Sequence, residues 1–278
     1  MINTPASIVD FLDSPYAITE EQINFYRQNR FIKLKDVLNK ETIDFFSIKI
    51  TEKVQELNSE NRSMEERDTY GMAFLQIFNL WRTDTCIRDL IFSKRVAGIA
   101  TALMETNGVR LYHDQALYKE PGGGYTPWHA DQYYWPLASD KTVTAWMPLQ
   151  ETPLEMGPLE FSAGSHVIVE GRELAIGDDS EKIIDQKLRV TDFEHIVEKF
   201  DLGEVSFHSG WIFHRAGANA TSKMRQVMTA IYMDSEMRLA APQNQNQIND
   251  WKAWCPGAIV GDIIDTPLNP VLYTKEKQ

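Results

Sequence analysis

Two stretches of this chain carry residue types that can share one metal ion. In Thr126-Pro127-Trp128-His129-Ala130-Asp131 an imidazole and a carboxylate stand two positions apart, and along an extended strand residues i and i+2 point to one face. Downstream, Phe207-His208-Ser209-Gly210-Trp211-Ile212-Phe213-His214 reads as a strand, a Ser-Gly turn and a second short strand that delivers His214 at its end. Two imidazoles and one carboxylate on one face leave three coordination positions open, the arrangement of non-haem iron(II) oxygenases. Alone, His-x-Asp is a weak signal, because a solvated His and Asp on a surface strand read the same way. The Gly-rich Pro121-Gly122-Gly123-Gly124 before it, the aromatic Tyr133-Tyr134-Trp135 after it and the downstream histidine lower that reading.

Arg225 adds a charge of another kind. It precedes the apolar run Val227–Met233. A guanidinium buried at the base of a barrel needs a carboxylate partner, which its planar fork can hold bidentately. The remaining histidines receive plainer parts. His208 reads as a hydrogen-bonding neighbour of the site rather than a ligand, His166 as the brace of a turn, and His113 and His195 as surface or loop residues. Strand alternation would put Tyr133 and Trp135 on the ligand side and Tyr134 outward. Asp178 and Asp179 read as a solvated loop, and the methionines from Met224 to Met237 as packing.

Stepwise, the rest of the chain must supply the frame. The first half reads as helical. Thr19 caps a helix that starts Glu20-Glu21-Gln22, a short strand follows around Phe31–Leu34, and Asn39 opens a helix whose Ile43, Phe46, Ile50 and Val54 recur at helical spacing. An amphipathic segment runs from about Asp84 to Met104. From Val109 onward the texture is that of strands: Val109–Tyr112, Gln115–Tyr118, Thr142–Pro148, Leu159–Ser162, Val205–Phe207, Trp211–His214 and Val227–Met233. Gly, Pro and Asn turns between most of them predict an antiparallel barrel or sandwich. Residues 170–200 read as an excursion with some helix. With no repeat and no linker, a single domain over 1–278 is expected, with a helical part to about 105, a barrel core over about 106–235 and a C-terminal extension over 236–278.

Composition narrows the partners. The 278 residues are 43% hydrophobic and 24% charged, an ordinary globular balance. With 28 Lys and Arg against 40 Asp and Glu the net charge is −12, which repels phosphate backbones and anionic lipid, so neither nucleic acid nor membrane is an expected partner. Cys86 and Cys255 read as two reduced thiols of a cytosolic protein. The N-terminal residues lack the basic start and apolar core of a secretory signal. No run approaches the roughly 18 apolar residues of a membrane span. The final Lys275-Glu276-Lys277-Gln278 matches no common C-terminal address, so a cytoplasmic location is expected. Oligomeric state has no signature in this chain.

At the level of linked motifs the chain resembles the phytanoyl-CoA dioxygenase family of iron(II)- and 2-oxoglutarate-dependent oxygenases. The likeness runs from Ile18-Thr19-Glu20-Glu21-Gln22 to Pro267-Leu268-Asn269-Pro270. It rests on Lys119-Glu120-Pro121-Gly122-Gly123-Gly124, on Trp128-His129-Ala130-Asp131 with Tyr134-Trp135-Pro136, on Gly157-Pro158-Leu159-Glu160-Phe161 running into Gly164-Ser165-His166, and on His214 followed by Arg225. The resemblance implies a mainly β fold with flanking helices, a double-stranded β-helix of the jelly-roll or cupin-like kind. It implies His129, Asp131 and His214 as ligands of Fe(2+), and Arg225 as the partner of the distal carboxylate of 2-oxoglutarate. Gln115 and Trp146 match positions that line the cosubstrate pocket.

The reaction so implied consumes O2 and 2-oxoglutarate, releases succinate and CO2, and hydroxylates an unactivated C–H of a small-molecule metabolite. Related halogenases carry Ala or Gly where this chain keeps Asp131, so hydroxylation is expected. The chain departs from the family at Ala216, where a small hydroxyl residue is frequent, and at Met156 before Gly157, where Asn is frequent. No Lys/Arg cluster suited to the phosphates of an acyl-CoA stands out. Two other readings compete: a zinc- or manganese-dependent hydrolase or isomerase on a cupin-like barrel, and a non-catalytic protein that binds a metal or ligand. Arg225 weighs against the first, which needs no keto-acid anchor, and the intact ligand set against the second.

Overall fold

The computed structural model describes residues 3–275; the terminal residues 1–2 and 276–278, which include the end of the stretch read for a C-terminal address, lie outside them. Among the described residues the strands are β1 (Phe31–Leu34), β2 (Leu75–Phe78), β3 (Gly108–Tyr118), β4 (Thr126–His129), β5 (Thr142–Pro148), β6 (Leu159–Ser162), β7 (His195–Val197), β8 (Val205–Ser209), β9 (His214–Ala216), β10 (Val227–Asp234) and β11 (Val271–Thr274). One sheet runs β1-β8-β5-β10-β3-β11, with β2 also paired to β3, and the other runs β4-β9-β6-β7. Every strand pairing is antiparallel. Two sheets facing each other, with helices on the outer face of the larger, make the expected double-stranded β-helix.

Alternation along the strands separates the two faces of the larger sheet. Val143, Ala145 and Met147 of β5, Val205 and Phe207 of β8, and Met228, Ala230 and Tyr232 of β10 join Phe46, Ile50, Ile87 and Ile99 of the helices in one apolar core. Trp146 and Val227 point the other way and pack with Leu159, Phe161 and Ala216 of the smaller sheet. A strand covered on one face by helices and on the other by a second sheet is apolar or small at nearly every position, and β5 and β10 are buried along almost their whole length.

β3 breaks this pattern in a way that matters for the site. Val109 and Leu111 face the helical core, but so do Ala116 and Tyr118, which is a change of phase. Tyr112 is the residue in excess: Ile231 pairs with His113 and Tyr232 with Leu111. This is a β-bulge, and it shifts every later side chain to the opposite face. The two strands expected at Val109–Tyr112 and Gln115–Tyr118 are therefore one strand, since a phase change looks in sequence like an interruption. The bulge also aims His113, expected at the surface, into the barrel, where it is 4% exposed.

Other expectations meet local physics. Thr19 forms a capping box with Gln22, and Asn39 caps the helix Lys40–Leu57, each device stabilising by about 1 kcal/mol. The single segment expected over Asp84–Met104 is two helices, Thr85–Ile91 and Lys94–Met104, each with its own cap, Asp84 and Ser93. Asp178 and Asp179, read as loop, lie in the first turn of the helix Asp178–Thr191, where acidic groups complement the helix dipole. Both ends of the chain enter the larger sheet: β1 pairs with β8, and β11 with β3. No helix among the described residues is long and apolar enough to cross a membrane.

Candidate metal centre

β4 ends at His129 and β9 begins at His214, and these residues are direct cross-strand partners with ring centroids 4.2 Å apart. The strand expected at Trp211–His214 is in fact a turn followed by β9, so His214 stands at a strand start rather than an end. Asp131, by contrast, is not on a strand. The chain leaves the extended conformation after Ala130, and Asp131 opens a 3-10 turn over Asp131–Tyr134. What holds that turn is Gln132, whose N–H donates to the Gly210 carbonyl at 2.9 Å and whose Oε1 accepts from Thr142 Oγ1 at 2.7 Å. A Cβ at Gly210 would crowd this bond, lying 2.4 Å from Gln132 Oε1 and 2.8 Å from Thr142 Oγ1.

The three side chains nonetheless converge. One ligand atom from each of His129, Asp131 and His214 lies within 4.8 Å of the others. Asp131 Oδ1 is 3.5 Å from His129 Nε2 and 3.8 Å from His214 Nε2. Each imidazole is turned by its own backbone: His129 Nδ1 is 2.7 Å from the Pro127 carbonyl and His214 Nδ1 is 3.2 Å from that of Ile212. A carbonyl only accepts, so each Nδ1 carries the proton and each Nε2 keeps its lone pair for a metal. Burial, with His129 beside it, pushes His214 well below the ordinary imidazole range. Burial alone would raise the Asp131 carboxyl, but His214, His129 and His208 outweigh it and hold it well below its usual value. Two nitrogen lone pairs and one carboxylate oxygen, charged as a divalent transition metal requires, fit Fe(2+) in an open three-ligand site.

The other oxygen, Asp131 Oδ2, has separate neighbours. Thr144 Oγ1 donates to it at 3.3 Å, and His208 Nε2 lies 3.4 Å away. His208 is thus placed on the non-facing side of the carboxylate.

An inner cavity joins all six residues singled out in the sequence: His129, Asp131, His214, Arg225, Gln115 and Trp146. Arg225 is 1% exposed. It donates from Nη1 to the Gly157 carbonyl, and its guanidinium carbon lies 5.4 Å from the Trp146 ring centre. Its Nε has no partner among the described residues, and burial lowers its pKa to about 9. A buried guanidinium with no carboxylate facing it is costly unless a ligand supplies one. It therefore fits the distal carboxylate of 2-oxoglutarate. Gly157 makes the approach possible: its φ is +69°, and a Cβ there would lie 2.1 Å from the Gly217 carbonyl oxygen.

Several residues of this cavity were missed in the sequence. Tyr70 and Gln76, from the stretch before β3, reach it from outside the barrel core. Tyr70 Oη donates to Gln76 Oε1 at 3.2 Å, and Gln76 Nε2 to Gln115 Oε1 at 2.7 Å. That chain fixes the Gln115 amide with its oxygen engaged. Outside the cavity lining, Lys119, quoted only as part of a motif, is also fully buried. Its Nζ donates to the Gly124 and Gly217 carbonyls at 2.6 and 2.7 Å, tying the Gly-rich loop to the turn after β9. Burial, with Arg225 nearby, lowers its pKa to about 6. Gly124 is five residues on and Gly217 is 98, and no spacing signal announces a side chain whose partners are backbone carbonyls.

A second, outer cavity of about 400 Å³ shares Tyr70, Gln76, Gln115, His129 and Asp131 with the first. Tyr134 and Trp135 line it, while Tyr133 packs on the helix Gln245–Trp254, its hydroxyl accepting from Asn246 Nδ2. Trp135 is on the ligand side as alternation predicts, but Tyr133 and Tyr134 exchange sides because they sit in a 3-10 turn, not a strand.

A family model described as phytanoyl-CoA dioxygenase (PhyH) matches residues 26–227. A probable alpha-ketoglutarate-dependent hypophosphite dioxygenase of Stutzerimonas stutzeri is 24% identical over 152 residues, which are 52% of this chain and 52% of that one. This chain thus spans about half the length of that curated relative. Among solved structures, the non-heme alpha ketoglutarate dependent carbocyclase SnoK from nogalamycin biosynthesis superposes with a TM-score of 0.74 at 22% identity, covering 93% of this chain and 99% of that one. The epimerase SnoN, in complex with Fe3+, alpha ketoglutarate and nogalamycin RO, gives 0.73 at 21% identity, covering 91% and 98%. At these identities the structural likeness speaks for the fold.

Proposed function

Because this chain belongs to the phytanoyl-CoA dioxygenase (PhyH) family, we infer that it is an iron(II)- and 2-oxoglutarate-dependent dioxygenase that hydroxylates an unactivated C–H of a small molecule. His129, Asp131 and His214 hold the iron. Arg225 anchors the distal carboxylate of 2-oxoglutarate, with Gln115 and Trp146 as walls of its seat. The observation that carries this reading is the pairing of a convergent two-imidazole, one-carboxylate cluster with a buried guanidinium that lacks a carboxylate partner, both opening on one cavity.

When bound, iron with the keto acid would activate O2, releasing succinate and CO2. The residues of the chain do the positioning. The two backbone-anchored imidazoles and Asp131 Oδ1 would supply the metal with three ligands from one side. Arg225 supplies a fixed positive charge at the far end of the inner cavity. Apolar walls from Leu117, Leu159 and Trp146 exclude water around it, which strengthens the charge pairing. The substrate approaches from the outer cavity, whose rim includes His129 and Asp131. The acidic charge of the chain fits a small-molecule partner in the cytoplasm better than nucleic acid or a lipid surface.

Anaerobic addition of Fe(2+) and then 2-oxoglutarate tests this directly. A visible charge-transfer band that needs both, and succinate formation that needs both plus O2, are expected. Neither band nor succinate from protein shown to be folded would sink the oxygenase reading, and hydrolytic turnover with Zn(2+) alone would favour the hydrolase.

A further inference from the structure

The outer cavity has a charge character of its own. Asp68, Asp131 and Asp250 line it, and no lysine or arginine does. Asp131 belongs to the proposed iron site and Asp68 caps the short helix Thr69–Ala73 at the rim. Asp250, on the helix Gln245–Trp254, is left. Its Oδ2 accepts from Tyr112 Oη at 3.3 Å, none of the groups acting on it is a cation, and burial raises its carboxyl to about 7.

Beside it stand rings. Phe78 and Trp254 lie 4.9 Å apart between centroids, and His113 and Trp254 4.8 Å. His113 is 4% exposed, its Nδ1 has no partner among the described residues, and burial pushes its pKa down to about 4. A neutral imidazole and two aromatic rings present electron-rich surface without positive charge.

These features discriminate among ligands. An anion would meet carboxylates with no counter-cation, which disfavours a phosphate-bearing acyl-CoA or an oxyanion. A wholly apolar ligand would leave the Asp250 carboxylate in a desolvated cavity with hydrogen bonds but no counter-charge, at a cost of about 1–3 kcal/mol. An organic cation removes that difficulty, pairing with the carboxylate while its alkyl groups lie against the rings.

We propose that the outer cavity binds the ammonium group of a small aminated or quaternary-ammonium substrate between the Asp250 carboxylate and the Phe78 and Trp254 rings, so that a neighbouring C–H faces His129, Asp131 and His214. What happens to that C–H rests on the oxygenase reading; the preference for a cation is a property of the cavity itself.

Calorimetric titration of the metal-free full chain with three probes of matched shape tests this: choline, its uncharged isostere 3,3-dimethylbutan-1-ol, and the anion 3,3-dimethylbutanoate. Choline should bind roughly tenfold or more tighter than the alcohol, and the carboxylate weakest. Asp250→Asn should erase most of the preference for choline, and Trp254→Leu should weaken choline binding while keeping the order of the probes. An alcohol that binds within about threefold of choline, a carboxylate that binds best, or no saturable choline binding would overturn the proposal from the unaltered protein alone. A 2-oxoglutarate titration of the iron-loaded protein is read separately. Choline selectivity without 2-oxoglutarate binding would leave the cavity assignment standing and sink the oxygenase reading; the reverse would overturn only the cation.

Discussion

His208 Nε2 lies 3.4 Å from Oδ2 of Asp131, the oxygen opposite the one that faces His129 and His214. With Thr144 Oγ1 at 3.3 Å from the same atom, one edge of the carboxylate is held by the barrel and the other is free for a metal. Carboxylate ligands are oriented this way in many metal sites, and their holders are a separate handle on affinity.

Replacing His208 by Phe keeps the ring volume against Phe161 and removes the polar contact. Iron affinity should fall by on the order of 10- to 100-fold, with 2-oxoglutarate affinity at saturating iron unchanged. Fe(2+) titration of both proteins checks this. Unaltered iron affinity would make His208 a bystander, and complete loss would make it a ligand.

Arg225→Met removes the buried charge while keeping much of the volume. Binding of 2-oxoglutarate should weaken on the order of a hundredfold, since one partner of a desolvated ion pair is gone. Iron binding should hold. Thermal stability should not fall by much, because the guanidinium that is lost has no carboxylate of its own in the protein. Equal cosubstrate affinity would refute the assignment.

Gly157→Ala is expected to be far more damaging than its size implies. A Cβ would collide with the Gly217 carbonyl at 2.1 Å in a backbone of φ +69°. A loss of at least about 2 kcal/mol in denaturant unfolding follows, together with weaker 2-oxoglutarate binding, because the Gly157 carbonyl seats Arg225.

His113 gives the protein an acid-side weakness. Its pKa is about 4 in the fold against 6.5 for a free imidazole, so the unfolded chain binds the proton more readily between those values. Its contribution to stability is complete above pH 6.5 and is lost as pH falls towards 4. By pH 5 the loss is on the order of 2 kcal/mol. Unfolding in urea at pH 7.5 and pH 5 should therefore show a larger drop for the unaltered protein than for His113→Phe, which keeps a ring against Trp254. Identical drops would show that His113 is not the group responsible.

Read by itself, the chain determined those features whose causes are local. The bounds of β5 and β6, Thr142–Pro148 and Leu159–Ser162, follow from apolar runs between turn residues. The cap at Thr19 depends on a partner three residues away. The types and spacing of His129, Asp131, His214 and Arg225 were legible for the same reason, because a motif is a statement about neighbours in the chain.

Tertiary structure decided what depends on register and on folding back. His129 meets His214 because β4 and β9 pair in one register. Asp131 reaches them through a 3-10 turn held by Gly210 and Thr142, which no alternation rule foresees. The bulge at Tyr112 turns His113 and Gln115 inward, and Tyr70, Gln76 and Asp250 arrive from segments remote in sequence. A one-residue change of register moves every side chain of a strand to the other face. Which groups share a cavity is therefore set by cross-strand contacts, and these exist only once the sheets have closed.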